Sequence, residues 1–184
     1  MGTLFVDKLD PQSGTSLEIG SSGDTITIPS GATITNSGTA TGFGEANTPS
    51  FRANPASGTT VAHDTATKIA YTTEVYDTDS AYDASNSKFV VPSGKAGRYF
   101  FVAALEYNIT SATTSARVQI RKNGSIALAK AGYNSYYDNN LVCGVLNLVA
   151  GDYIEVYGYH NSGGSQATQT GTASTYFAGF KVDS

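Results

Sequence analysis

The feature that most constrains this chain is a succession of short apolar alternations, each closed by a turn signal, running from about Pro49 to the C-terminus. Lys68-Ile69-Ala70-Tyr71 comes first, and Lys88-Phe89-Val90-Val91 stops at Pro92. A longer aromatic run spans Gly97 to Asn108. Arg117-Val118-Gln119-Ile120-Arg121 puts Val118 and Ile120 on one face, because successive side chains of a strand point to opposite sides. Asn123-Gly124 then supplies a two-residue hairpin, since a type I′ turn needs positive φ at both central positions. Ser125-Ile126-Ala127-Leu128 returns on the other side, and Leu141 to Leu148, Tyr153 to Tyr159 and Thr175 to Val182 complete the set. No stretch sustains the i, i+3, i+4, i+7 spacing of an amphipathic helix. Many short strands between turns predict an all-β antiparallel sandwich or barrel.

Composition points the same way and narrows the function. Charged residues are 14% of the chain, against about 25% in a typical soluble domain. Thr, Val, Ile, Tyr and Phe suit pleated surfaces, and Gly and Asn suit the turns between them. The net charge is −4, and no Lys or Arg occurs between Lys8 and Arg52. Without clustered cations to displace counterions from phosphate, nucleic-acid binding is not expected. No run approaches the ~18 apolar residues of a membrane span, so membrane insertion is not expected either. Met1-Gly2-Thr3-Leu4-Phe5-Val6 is not a basic segment leading into a long apolar one, hence not a secretory leader. The expectation is a protein made in the cytosol and released otherwise, as a virion protein is by lysis. Cys143 is the single cysteine, so no internal disulfide is expected; within Leu141 to Leu146 it reads as a buried small hydrophobe.

Two strands are apolar on both faces: Tyr99 to Leu105, and Leu141 to Leu148. A sandwich strand normally buries one face and wets the other. The second apolar face needs cover, and another subunit is the obvious source.

Residues 1–46 differ from residues 47–184. Leu17-Glu18-Ile19, Ile26-Thr27-Ile28 and Ala32-Thr33-Ile34 are separated by Gly20-Ser21-Ser22-Gly23-Asp24 and by Pro29-Ser30-Gly31, and Thr35 to Gly44 reads as a linker. About forty residues of such strands cannot bury a core alone. The segment is expected to be a short β stalk or anchor, with Leu17, Ile19, Ile26, Ile28 and Ile34 contacting other chains.

Five motifs in order resemble one family over residues 47–184. They are Phe51-Arg52-Ala53; Phe89-Val90-Val91-Pro92 with Gly97-Arg98-Tyr99-Phe100-Phe101; Val118 to Gly124; Leu146 to Val156 around Gly151-Asp152; and Thr175 to Phe180. The pattern resembles the globular head of complement component 1q, within the tumour-necrosis-factor-like jelly rolls. The loop from Pro92 to Gly97 is longer than usual, which weakens any transfer of loop-borne sites. No collagen-like Gly-X-Y stretch precedes the head, so complement function is not implied. The resemblance implies a homotrimer, with Tyr99, Phe101, Ala103, Leu105, Phe177 and Phe180 of an aromatic inner sheet against the three-fold axis. The N-terminal segment also resembles the Gly/Ser/Thr-rich repeats of marine bacteriophage structural proteins.

Candidate chemistry is sparse. His63-Asp64 are neighbours whose side chains leave a strand on opposite faces, a poor start for a base and its orienting carboxylate. Asp77, Asp79 and Asp83 begin like a calcium loop but lack its later Gly and Glu, so Asx turns are expected there, with calcium as the alternative. Tyr133, Asn134, Tyr136 and Tyr137 form a paratope-like loop, a candidate receptor contact or a subunit contact. The expected function is non-enzymatic and without cofactor: a trimeric phage fibre, spike or capsid-decoration module, attached to other virion proteins through its N-terminal segment. The alternatives are a receptor-binding knob for host glycan or surface protein, and a bacterial extracellular lectin-like or ligand-like module.

Overall fold

The computed structural model describes residues 9–38, 47–108, 115–132 and 139–182. The chain divides into two compact units, 1–41 and 42–184.

In the larger unit thirteen strands follow one another, and no helix occurs among the described residues. They are β1 (Ser50–Asn54), β2 (Thr60–Val61), β3 (Thr67–Lys68), β4 (Thr73–Asp77), β5 (Tyr82–Asp83), β6 (Lys88–Val90) and β7 (Gly97–Glu106). Then come β8 (Ala116–Lys122), β9 (Ser125–Gly132), β10 (Asn139–Leu148), β11 (Tyr153–His160), β12 (Gln166–Ala167) and β13 (Tyr176–Lys181). One sheet runs β10-β7-β13-β1-β4 and the second β5-β6-β11-β8-β9, with β3 also paired to β11. All these ladders are antiparallel, and neighbours in a sheet are mostly distant in sequence, as in a jelly roll. Of the long strands, only β8 and β9 pair as a hairpin. Its tip is the expected Asn123-Gly124, with φ of 50° and 80°.

The core lies between the sheets and is aromatic. Phe51 stacks on Tyr82 at 4.9 Å and on Phe89 at 5.0 Å, and meets Phe177 edge-on at 4.9 Å. Val118 and Ile120 point inward as the alternation requires, beside Ile154 and Val156. Buried tyrosines must spend their hydroxyls. Tyr71 donates to the carbonyl of Ala104 at 3.0 Å, Tyr82 to that of Tyr71 at 2.7 Å, and Tyr107 to that of Arg117 at 3.0 Å. Burial pushes all three phenols well above their ordinary range. Gly179, inside the closing motif, is fixed by packing. A Cβ there would lie 2.5 Å from a ring carbon of Phe101 and 2.9 Å from the carbonyl of Phe100.

The Gly151-Asp152 motif closes the corner between β10 and β11. Gly151 supplies the left-handed conformation, φ 86°. Asp152 accepts from the Lys122 ammonium at 2.8 Å, the Val149 backbone N–H at 2.8 Å and the Asn123 side-chain amide at 2.7 Å. One carboxylate thus ties the hairpin tip to the corner. Lys122 first, then the Val149 N–H and the Asn123 amide, hold the carboxyl down at about 2. An unfolded Asp titrates near 3.9, so the folded state binds its proton later on acidification. The stabilisation is therefore complete above about pH 4 and is lost as the pH falls towards about 2. Asp152→Asn is expected to destabilise the protein at pH 6, with the gap to the parent closing between about pH 4 and 2 in urea melts. A gap independent of pH would contradict the assignment.

In the smaller unit, residues 9–38 form no strand. The three expected strands, at Leu17 to Ile19, Ile26 to Ile28 and Ala32 to Ile34, are not formed among the described residues. Two turns are formed, closed by Asp24 N–H to the carbonyl of Ser21 at 3.0 Å and Ala32 N–H to that of Pro29 at 3.1 Å. Asp24 Oδ2 also accepts from the Ser21 N–H at 2.7 Å. Leu17, Ile19, Ile26, Ile28 and Ile34 are all exposed.

Candidate interaction surfaces

Strand register decides what each sheet presents. Val145 pairs with Phe100 and Phe100 with Phe180; Cys143 pairs with Val102 and Val102 with Ala178; Leu141 pairs with Ala104 and Ala104 with Tyr176. These three rows make the outward face of the β10-β7-β13-β1-β4 sheet. Phe100 and Phe180 meet across it at 5.5 Å between ring centres. Val145 is 53% exposed and Phe180 37%. Charge on this face comes from Arg98 and Glu106 at the two ends of β7 and from Arg52, which covers the Tyr176 ring at 4.4 Å and donates to the carbonyl of Thr172 at 2.7 Å. A face this apolar is a surface for association.

The expected interface residues divide accordingly. Phe180 lies on this face. Tyr99, Phe101, Ala103, Leu105 and Phe177 do not: each is fully buried in the single chain, on the opposite parity, against the second sheet. A side chain with no exposed surface has none to give to another subunit; the outward positions of β7 and β10 are instead Phe100, Val102 and Val145. Sequence reasoning missed these because Tyr99 to Leu105 is apolar at both parities; only the polar neighbours Arg98 and Glu106 mark the outer one. Cys143, expected to be buried, is exposed on the same outer parity.

The second sheet presents a different outer face, also missed. Along β11 the outward parity holds Tyr153, Glu155, Tyr157 and Tyr159, and along β8 it holds Arg117, Gln119 and Arg121; Glu155 and Gln119 are themselves buried beneath their neighbours. Arg121 lies over the Tyr157 ring at 3.9 Å, Arg117 over Tyr159 at 4.9 Å and Lys88 over Tyr153 at 5.7 Å. Glu155 is paired in the ladder with Arg121 on one side and Lys88 on the other, and takes the Lys68 ammonium at 2.7 Å. The signal was the every-second-residue spacing Arg-x-Gln-x-Arg and Tyr-x-Glu-x-Tyr-x-Tyr.

The other candidates are placed as follows. Asp77 caps the Tyr82 N–H at 2.8 Å, Asp79 accepts from the Thr78 hydroxyl at 2.7 Å, and Asp83 caps Ser85 and Asn86 at 2.6 and 3.0 Å. Asp77 also accepts from the Asp79 N–H at 3.4 Å, the i to i+2 contact of an Asx turn; the other contacts are caps at other spacings. Among the described residues no group of three or more His, Cys, Asp or Glu is placed to hold a metal. His63 and Asp64 diverge: His63 Nδ1 accepts from the Gly163 N–H at 3.0 Å, and Asp64 accepts from the Tyr159 hydroxyl. His160 is buried, with Nε2 2.9 Å from the carbonyl of Val61. That carbonyl can only accept, so Nε2 carries the proton and Nδ1 accepts from the Ser162 hydroxyl at 2.9 Å. The loop with Tyr133, Asn134, Tyr136 and Tyr137 lies outside the described residues.

Solved structures share this fold. Murine APRIL at pH 5.0 superposes with a TM-score of 0.58 at 16% identity, over 72% of this chain and 98% of that one. The globular domain of zebrafish complement 1qA gives 0.50 at 16% identity, over 73% and 97%. The jelly roll is thus of the tumour-necrosis-factor and complement-1q type, a likeness of fold. No family model and no curated protein matches the sequence.

Proposed function

We propose that the chain is a non-enzymatic structural module of a bacteriophage particle, assembled as a homotrimer through the apolar face of the β10-β7-β13-β1-β4 sheet. That face carries the reading: Phe100, Val102, Val145, Ala178 and Phe180 form a continuous apolar surface that one chain leaves uncovered. A second copy of the same chain, with the same face, is the partner the fold resemblance implies. The N-terminal segment, with its exposed aliphatics and phage-type repeats, would attach the trimer to other virion proteins. Native mass spectrometry should give a species of about three times the 19.1 kDa chain mass. A stable monomer at micromolar concentration would refute the trimer. Antibody labelling of purified particles tests the location, and unlabelled particles would refute it.

A second reading, a receptor-binding knob, is favoured by the tyrosine and arginine face of the other sheet. Tyr and Arg are enriched where interfaces hold most of their energy.

A further inference from the structure

We infer that the outer face of the β5-β6-β11-β8-β9 sheet binds a carboxylate-bearing polysaccharide. The inference deepens the receptor-knob reading by naming a ligand class and a place.

Charge is the first ground. The chain is acidic overall, yet around Glu155 three cations meet one carboxylate: Lys68 by ion pair, Lys88 and Arg121 as its ladder neighbours. Asp83, paired in register with Lys88, adds a second carboxylate, so three cations face two carboxylates. A surplus of positive charge remains on a face that is otherwise aromatic and polar.

Preorganisation is the second. Arg121 lies flat on Tyr157, and its Nε and one terminal nitrogen are held by Gln119 at 3.2 and 3.0 Å. Arg117 lies over Tyr159 with its Nε on the Ser115 hydroxyl at 3.0 Å. A guanidinium fixed in this way loses little freedom on binding, and its remaining in-plane N–H groups match a carboxylate. The two forks stand four residues apart on one strand, about 13 Å at ~3.3 Å per residue. Fixed cations at intervals suit a polymer with repeated acidic groups better than a single small anion.

A pocket is the third. A cavity of about 310 Å³ opens beside Lys68, lined also by Thr72, Ser85, Asn86 and Ser87. Its lining is mixed: Ile69 and Ala70 stand beside hydroxyls that can accept from a sugar, while the Ser85 hydroxyl and the Asn86 amide already donate to Asp83. Lys68 belongs to both the pocket and the Glu155 ion pair, so the two features are continuous.

The test uses the full chain, with polygalacturonate as probe and its fully methyl-esterified form as the neutral counterpart on the same backbone. Polygalacturonate should bind, weakening as salt rises, and the ester should not. Arg121→Gln should lose about tenfold in affinity, the scale of one charge-assisted pair, and Lys88→Gln should weaken binding in the same direction. Glu155→Gln, which removes the competing carboxylate, should bind more tightly than the parent. No binding of polygalacturonate, equal binding of the ester, or parent-like affinity in both cation variants would each overturn the inference. Native mass spectra of the same samples report the oligomer separately: a monomer that still binds keeps this inference and refutes the trimer.

Discussion

Phe101→Asp is expected to abolish folding, whereas Val145→Asp is expected to give a folded chain that no longer self-associates. The two residues lie on adjacent strands, where Val145 of β10 pairs with Phe100 and Phe101 of β7 pairs with Gly144, so they sit on opposite parities. Phe101 is fully buried among Phe51, Phe89, Tyr99 and Phe177. Removing such a ring costs about 3–5 kcal/mol through lost contact and the cavity left behind. Burying an unpaired carboxylate adds to that. A domain with about 5–15 kcal/mol of net stability does not survive the sum. Val145 is 53% exposed, so a single chain accommodates the carboxylate in water, at a cost of about 1 kcal/mol or less. In an assembly every copy carries that carboxylate into an apolar contact, where it has no partner. The check is circular dichroism with native mass spectrometry on both variants. A trimeric Val145→Asp protein would remove the β10-β7-β13 face from the interface, and a folded Phe101→Asp protein would contradict the core.

That contrast also shows where the sequence was readable and where it was not. The long strands from β7 onward followed from period-two alternation and turn residues: Val118 and Ile120 point inward, and Asn123-Gly124 turns the hairpin. The expected strand Lys68 to Tyr71 did not: only Thr67–Lys68 pairs, and the strand that follows, Thr73–Asp77, was missed. The jelly-roll type followed from five spaced motifs whose physical roles are visible. Gly151 takes the left-handed turn, Asp152 locks the corner, and Gly179 lets the Phe101 ring approach. Parity in Tyr99 to Leu105 was not readable, because alternation is informative only when one face is polar. Facing was settled by which side met the second sheet, a long-range fact. The tyrosine and arginine ladder was unreadable for a related reason. Arg121 and Tyr157 stand 36 residues apart, and only antiparallel register brings the guanidinium over the ring. Cys143 followed the parity error: an apolar run suggested burial, and register turned it outward.

The second large effect concerns the N-terminal unit. Leu17, Ile19, Ile26, Ile28 and Ile34 range from 44% to 61% exposed, although each lies in an alternation that a solvated linker does not need. The turns around Gly23 and Gly31 are already closed, with Gly23 at φ 95° and Gly31 at 86°. They bound the stretch from Asp24 to Pro29, which forms no strand. Its aliphatics at alternate positions suit a strand that pairs with another chain. The expectation is that residues 1–44 are unstructured as an isolated peptide and that the amides of Ile26 and Ile28 are protected from hydrogen exchange in the assembled full chain. The Ile26→Asp, Ile28→Asp double variant should lose that protection and its place in the particle, while the head keeps its oligomeric state, because the two units are separate in the chain. Exchange of both amides at the intrinsic rate in the assembly would refute interchain pairing. A sharp β spectrum from the free monomeric peptide would refute it as well, since the segment would then fold without a partner.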